Sequence, residues 1–454
     1  MTAAPDPERS PTRAGSRVDD PALFVDPTLE SMAREDLRAY QWQRLGPMLT
    51  RVGDSNPFYR GKWAAAGVPD VRAIRDWDGF RRLPLTGKAE LSRDQDEHPV
   101  FGTNLTYPLG RYVRLHQTSG TTGRPMRWLD TVESWEWWIR CWSFVYRAAG
   151  VGAGDRVFFA FSFGPFIGFW AGFDAARRIG ALAIPGGGLD TALRIRMLVE
   201  TQTTTLVCTP SYALRLAEVA RERGIDTASL GIRVTIHAGE PGASIPATKR
   251  RIEAAWGGRC IDHTGMTEVG ATGFTCAAGE VHLNESEFVV EVLDAATGTS
   301  AAAGEGELVV TNLGRDGSPA IRYRSGDRVR LIQERCACGR TFARLAGGIL
   351  GRVDDMLVVR GMNVFPSVIE DVVRRFDAVD EFRVEVRRRA EMTELRVVIE
   401  VDEPRWGAAR VGQTLDALRE QLQLACGIRI ETAAVGAGAL PRFQLKAKRV
   451  VHVD

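Results

Sequence analysis

The chain has 454 residues, 44% of them hydrophobic and 26% charged, with a formal net charge of +2. Such a length predicts two or more domains, the composition is that of a folded globular protein, and the near-neutral charge gives no reason to propose nucleic acid or an anionic membrane as partner. The longest apolar stretch, Phe158 to Phe173, is broken by Ser162, Gly164, Pro165, Gly168 and Gly172, so it falls short of a membrane span.

The first 25 residues are polar and proline-rich, have no signal-peptide pattern, and read as a disordered tail. Seven scattered cysteines argue for a reducing cytoplasm and against a disulfide framework. Residues from about 30 to 100 carry apolar positions at helical spacing, and "VESWEWWIRCWSFVYRAAG" predicts a long aromatic helix ended by Gly150. From "DRVFFAFSF" to "CIDHTG", apolar strands alternate with amphipathic helices, which predicts a parallel sheet covered on both faces. From about Gly279 short strands and glycine turns predict a β-rich subdomain, and the last hundred residues read as βαββ-like alternation. The fold class is therefore α/β: a large N-terminal domain of layered α/β subdomains plus a β-rich subdomain over 26–352, then a small α+β domain over 353–454.

In open α/β sheets ligands sit at the carboxyl ends of the strands, where "FSFG", "PGGG", "TPSY", "HAGEP" and "HTGMTE" fall. Upstream lies "HQTSGTTGRP", His116 to Pro125, rich in hydroxyls and glycines. It lacks the Walker A spacing and lysine, so on its own it is either an anion-binding nest or a polar turn. Only five of the 59 basic residues are lysines, Lys62, Lys88, Lys249, Lys446 and Lys448, so each merits attention.

"TSGTTGRP", "HAGEP", "DHTGMTE", "RYRSGD", "GRVDDMLVVRGMNVFP" and "LKAKRVV" follow one another in that order. Together they resemble the adenylate-forming superfamily of acyl-CoA synthetases, luciferases and adenylation domains. "NPFYRGKWAAAGV", "VCTPSYALRLAE" and "IRYRSGD" narrow the resemblance to phenylacetate-CoA ligases. It implies ATP-dependent formation of an acyl-adenylate, with the C-terminal domain mobile about a hinge at Asp354. It also implies that Ser119, Gly120, Thr121, Thr122, Gly123 and Arg124 cradle the β- and γ-phosphates, with Arg124 where many relatives carry lysine. Gly239, Glu240 and Pro241 would line the adenine, with Asp262, His263, Thr264 and Thr267 completing the nucleotide site. Asp327 would hold the ribose hydroxyls, Arg352 would lie near ribose and phosphate, Glu268 would bind magnesium, and Lys446 would contact the reacting carboxylate.

The acyl pocket of such relatives would here be walled by Phe161, Phe163 and Phe166, with His237, Ala238 and Gly265 beside them. His237 stands where phenylacetate ligases carry an apolar aromatic, and Thr264-Gly265 replaces a tyrosine-glycine pair. Polar groups at these positions favour a ring bearing a hydroxyl or amino substituent, such as a substituted benzoate. Coenzyme A is the expected acceptor, with an amine or carrier protein as the alternative, and a homodimer stays open. Separately, Cys276 and His282 flank one turn and Cys336 and Cys338 form a C-x-C pair beside another, a set of four ligands suited to structural zinc. The other cysteines, Cys141, Cys208, Cys260 and Cys426, are expected in the core.

Overall fold

The computed structural model describes residues 19–118, 125–165, 167–294, 297–359, 362–389, 392–443 and 447–453. The N-terminal region is helical, with Arg34–Ser55, Pro57–Ala65 and Lys88–Glu97 the longest helices before the sheet. The expected tail of 25 residues is too long. Leu23 and Phe24 are buried, and Asp26 caps the short helix Pro27–Glu30; burying the hydrophobic side chains of Leu23 and Phe24 offsets the entropy of ordering this segment.

A parallel block forms the centre, with strands Leu182–Pro185, Arg156–Phe159, Thr205–Cys208, Val234–His237 and Arg259–Met266 side by side in that order. The first four are only four residues long, and helices such as Pro210–Glu222 and Pro246–Trp256 cover the block, burying Tyr212, Leu216, Ile252 and Trp256. The aromatic helix is Val132–Ala149, and Gly150 ends it in the left-handed region at φ 71°, as glycine does at helix ends. It lays four tryptophans, Trp135, Trp137, Trp138 and Trp142, into the main core.

Arg259–Met266 is the pivot of the sheet. It closes the parallel block on one edge and pairs antiparallel with Gly270–Thr275 on the other, leading into the β-rich strands Val281–Leu283, Phe288–Leu293, Gly304–Asn312 and Tyr323–Ile332. A β-bulge at Thr264 and Gly265 marks the change. A Cβ on Gly265 would come within 2.7 Å of Gly270 O, so the bulge requires glycine.

From Leu357 on, the chain has a second core around Ile369, Val373, Phe382, Val397 and Leu418. Its topology departs from simple βαββ. A hairpin, Leu357–Val359 with Met362–Val364, precedes the helix Pro366–Val373, and the antiparallel pair Glu381–Arg389 and Met392–Glu400 is flanked by two parallel edge strands. The edge strands are Glu431–Val435 and Val450–Val453, the second a valine-rich terminal strand of the kind the residue pattern favours. No helix among the described residues is long and apolar enough to cross a membrane.

Candidate functional site

Two paired strands flank the glycine-rich segment in sequence. Tyr112–Gln117 pairs antiparallel with Arg127–Thr131, and Thr118 and Met126 bond twice at its mouth: Thr118 N–H donates to Met126 O at 2.9 Å, and Met126 N–H donates to Thr118 Oγ1 at 3.0 Å. Ser119, Gly120, Thr121, Thr122, Gly123 and Arg124 themselves lie outside the described residues, as do Phe166 and Lys446.

At the next strand end Phe161 and Phe163 meet edge to face, with ring centroids 5.8 Å apart, within a cage completed by Phe169, Trp170 and Phe173. Phe163 sits at φ 50°, a backbone conformation a bulky side chain adopts only when its surroundings impose it. A Cβ on Gly168 would collide with the Phe161 ring.

His237 ends the strand Val234–His237, one strand beyond Cys208. Its ring is fully buried, and Nδ1–H donates to Cys208 O at 3.1 Å. That bond leaves Nε2 as a lone-pair acceptor, and Nε2 has no partner among the described residues. Burial pushes the imidazole down to about 4, so it is neutral at physiological pH. His263 is also held down to about 4 by burial, but its role is different: it packs on Trp142 with ring centroids 4.3 Å apart and bonds Gly273 O at 2.8 Å. Strand alternation puts it on the opposite face from Asp262 and Thr264. Asp262 is buried and its carboxyl is pushed up to about 6 by desolvation.

Glu268 follows the pivot strand and is buried. Arg315, fully enclosed, fixes the turn that carries it by donating to Thr267 O at 2.6 Å and Glu268 O at 3.2 Å, while Asn312 holds Val269 O at 3.2 Å. Arg315 is itself locked by a bidentate pair to buried Asp130, at 2.7 and 2.8 Å. Lys88 Nζ lies 3.7 Å from the Glu268 carboxylate, beyond hydrogen-bond length, which leaves lone pairs for a hard cation. Lys88 reaches this place because Thr86 is stitched to Arg322 and Arg324 along the "RYRSGD" strand. Neither Arg315 nor Asp130 was indicated by the sequence; Lys88 was marked only by the scarcity of lysines.

Asp327 and Arg352 are direct partners across two antiparallel strands. Arg352 Nη1 is 3.2 Å from Asp327 Oδ1, and the same guanidinium grips Asp354 at 2.9 and 3.1 Å. These neighbouring carboxylates raise the already high basicity of the guanidinium. In the "HAGEP" turn, Gly239 has φ 97° and the Glu240 carboxylate is occupied: it accepts from Ser211 N at 2.8 Å and from Ala447 N at 2.5 Å. The second bond brings the residue next to Lys446 in sequence onto the turn. Further contacts of the C-terminal region follow, from Arg449 to Ser211 Oγ at 3.0 Å and from Ala247 N to Asp371 at 3.1 Å. A crevice of about 630 Å³ at this seam is lined by Glu218, Arg251, Arg374 and Arg442, none of them named from the sequence.

Four ligand atoms, from Cys276, His282, Cys336 and Cys338, lie within 4.8 Å of one another at the far end of the β-rich strands. The other four cysteines are buried in the cores, as expected.

A family model of AMP-binding enzyme C-terminal domains matches residues 361–453. Over 436 residues the chain is 33% identical to the phenylacetate-coenzyme A ligase of Escherichia coli strain K12, an alignment that spans 94% of this chain and 97% of that enzyme. The chain belongs to the phenylacetate-coenzyme A ligase family. As a member it is an AMP-forming acid–CoA ligase of the adenylate-forming superfamily. The phenylacetate-coenzyme A ligase of Thermus thermophilus is 31% identical over 95% of this chain and the whole of its own length. Among solved structures, 2-hydroxyisobutyryl-CoA ligase in its postadenylation state, with an acyl-AMP bound, superposes with a TM-score of 0.90 at 29% identity, covering 96% of this chain and 93% of that one. The same enzyme in its thioesterification state gives 0.71. This family member therefore has its two parts arranged more like the former state.

Proposed function

We propose that this ligase activates an aromatic carboxylic acid carrying a hydrogen-bond donor, a hydroxy- or amino-substituted ring, as its acyl-adenylate and then transfers it to coenzyme A. One observation carries the substrate class: the buried, partnerless Nε2 of His237 at the carboxyl end of a central parallel strand. A buried acceptor without a donor costs about 1–3 kcal/mol, and a substrate N–H or O–H removes that cost. A plain phenyl ring would leave it in place.

In this reading the carboxylate attacks the α-phosphate of ATP, and negative charge grows on phosphate oxygens, so donors and cations rather than a protein nucleophile do the work. The loop 119–124 grips the outer phosphates, Asp327 orients the ribose, and the Gly239 to Pro241 turn flanks the adenine. Glu268 fits the magnesium that the family implies, being a buried carboxylate with unspent lone pairs, and the ion would supply charge neutralisation for the phosphates. Lys446 contacts the reacting carboxylate, supported by the Ala447–Glu240 bond beside it. The C-terminal domain, from Asp354, then swings so that coenzyme A reaches the adenylate; the two TM-scores for one relative in two states support such a motion.

Pyrophosphate release with ATP and a panel of aromatic acids tests the reading. Hydroxy- and aminobenzoates should drive release faster than phenylacetate or benzoate, and addition of coenzyme A should yield the thioester. Release without a thioester would point to an amine or carrier protein as acceptor, and no acid-dependent release would remove the proposal.

A further inference from the structure

We propose that Cys276, His282, Cys336 and Cys338 form a closed structural zinc site, and that Arg340 ties this metal to the N-terminal segment. The site uses none of the residues assigned to the proposed chemistry and is independent of the ligase reading.

The spacing is that of a tetrahedron. Cys276 Sγ and Cys336 Sγ are 3.9 Å apart, far beyond a disulfide bond of about 2.05 Å, and close to the edge of about 3.8 Å that zinc–sulfur bonds of about 2.3 Å generate. Cys338 Sγ lies 3.4 Å from His282 Nε2, against about 3.6 Å for the mixed edge. All four side chains are buried, and two of them, Cys338 and His282, are 0% exposed. The tautomer is also set. His282 Nδ1–H donates to Phe342 O at 2.9 Å, so Nε2 turns its lone pair toward the thiols, the arrangement that orients a metal-bound imidazole.

The two thiol turns are built alike from unlike sequences. In Cys276-Ala-Ala-Gly279-Glu280, Cys276 N–H donates to Glu280 O and Gly279 N–H to Cys276 O, both at 2.9 Å. In Cys336-Ala-Cys338-Gly339-Arg340, Cys336 N–H donates to Arg340 O at 3.0 Å and Gly339 N–H to Cys336 O at 2.9 Å. The glycines take φ 83° and 91°, which only glycine adopts freely. Packing small hydrophobes does not require the same left-handed turn twice, sixty residues apart. Holding sulfur atoms toward one point does.

Three thiolates and a neutral imidazole around a divalent ion leave one net negative charge. Arg340 answers it: fully buried, its Nη1 is 3.7 Å from Cys338 Sγ. Its remaining nitrogens hold Glu30 Oε2 at 2.6 Å and Leu23 O at 2.6 Å, and its guanidinium lies 3.9 Å from the centre of the Phe24 ring. Glu30 in turn accepts from Val25 N at 2.7 Å and Asp26 N at 3.0 Å. The metal, the guanidinium and residues 23–30 thus form one buried assembly.

Elemental analysis of the full-length protein, purified without an immobilised-metal step, should find about one equivalent of zinc per chain. Cobalt exchanged into the wild-type protein should show thiolate-to-cobalt charge transfer and tetrahedral d–d absorption, a readout that needs no variant to fold. Cys336→Ser and Cys338→Ser should lose the metal. Arg340→Leu should keep it but release it to a chromogenic chelator about tenfold faster, with new proteolysis within residues 19–30. Only traces of metal, iron in place of zinc, or a Cys276–Cys336 disulfide in freshly purified protein would overturn the site. An unchanged release rate in Arg340→Leu would overturn the tie to the N-terminal segment.

Discussion

Arg352 stands opposite Asp327 across an antiparallel strand pair, with Nη1 3.2 Å from Oδ1, and uses its other two nitrogens to grip Asp354. The Ser325-Gly326-Asp327 turn is pressed so close that a Cβ on Gly326, at φ 76°, would come within 2.8 Å of Nη2. One planar fork therefore links the carboxylate proposed for the ribose to the residue proposed as hinge.

Lysine in place of Arg352 retains the charge but cannot make these contacts at once. Arg352→Lys is expected to raise KM for ATP about tenfold, with a smaller effect on KM for the acid. Steady-state pyrophosphate release at varied ATP checks this, and an unchanged KM for ATP would separate Arg352 from the nucleotide.

Arg315 and Asp130 are both 0% exposed and positioned 185 residues apart in sequence. Removing the cation alone leaves a buried carboxylate uncompensated, so Arg315→Leu is expected to cost about 3–5 kcal/mol in chemical denaturation. The double variant Arg315→Leu with Asp130→Asn should be less destabilised than Arg315→Leu alone. Additive losses would show that the pair does not hold the Glu268 turn as a unit.

His237 and His263 are both pushed down to about 4 by burial, against about 6.5 when unfolded. The unfolded chain takes up these protons as pH falls below about 6.5, whereas the native protein refuses them until about 4. Their contribution is complete above that window and is lost on acidification, by roughly 2–3 kcal/mol per histidine near pH 4.5. Asp262, pushed up to about 6, acts in the opposite sense, since the stability of its protonated form is lost as pH rises through 6. Two histidines outweigh one carboxyl, so denaturant midpoints should fall from about pH 7 to about pH 4.5, and His237→Phe should flatten that fall. An equal slope in wild type and variant would contradict the buried neutral imidazole.

Gly168 has φ 39°, and any Cβ there meets the Phe161 ring. Gly168→Ala is expected to cost about 1–3 kcal/mol and to raise KM for the aromatic acid by displacing that ring. A destabilised variant with normal KM would leave Phe161 a core residue only.

Much of this was legible in the residues because it is written locally. Alternating apolar strands and amphipathic helices from Arg156 to Met266 were legible from periodicity, and Gly150 and Thr131 cap the aromatic helix as their types require. The Cys276 and Cys336 turns could be seen because cysteine, histidine and glycine are scarce signals at close spacing. The strand expected over "DRVFFAFSF" is instead only Arg156–Phe159, since Phe163 takes a left-handed turn that no propensity favours. Asp130 with Arg315, and Glu240 with Ala447, join distant segments through packing. Pairings of that kind leave no periodic trace, and the engagement of the Glu240 carboxylate by backbone could be seen only in three dimensions.

The most direct measurement is the ratio of kcat/KM for an amino- or hydroxybenzoate over the unsubstituted acid, with ATP and coenzyme A, in wild type and in His237→Phe. The wild type should prefer the donor-bearing ring, and the variant should lose about 10- to 100-fold of that preference. An unchanged ratio in a folded, active variant would show that His237 does not read the ring and would contradict the substrate assignment.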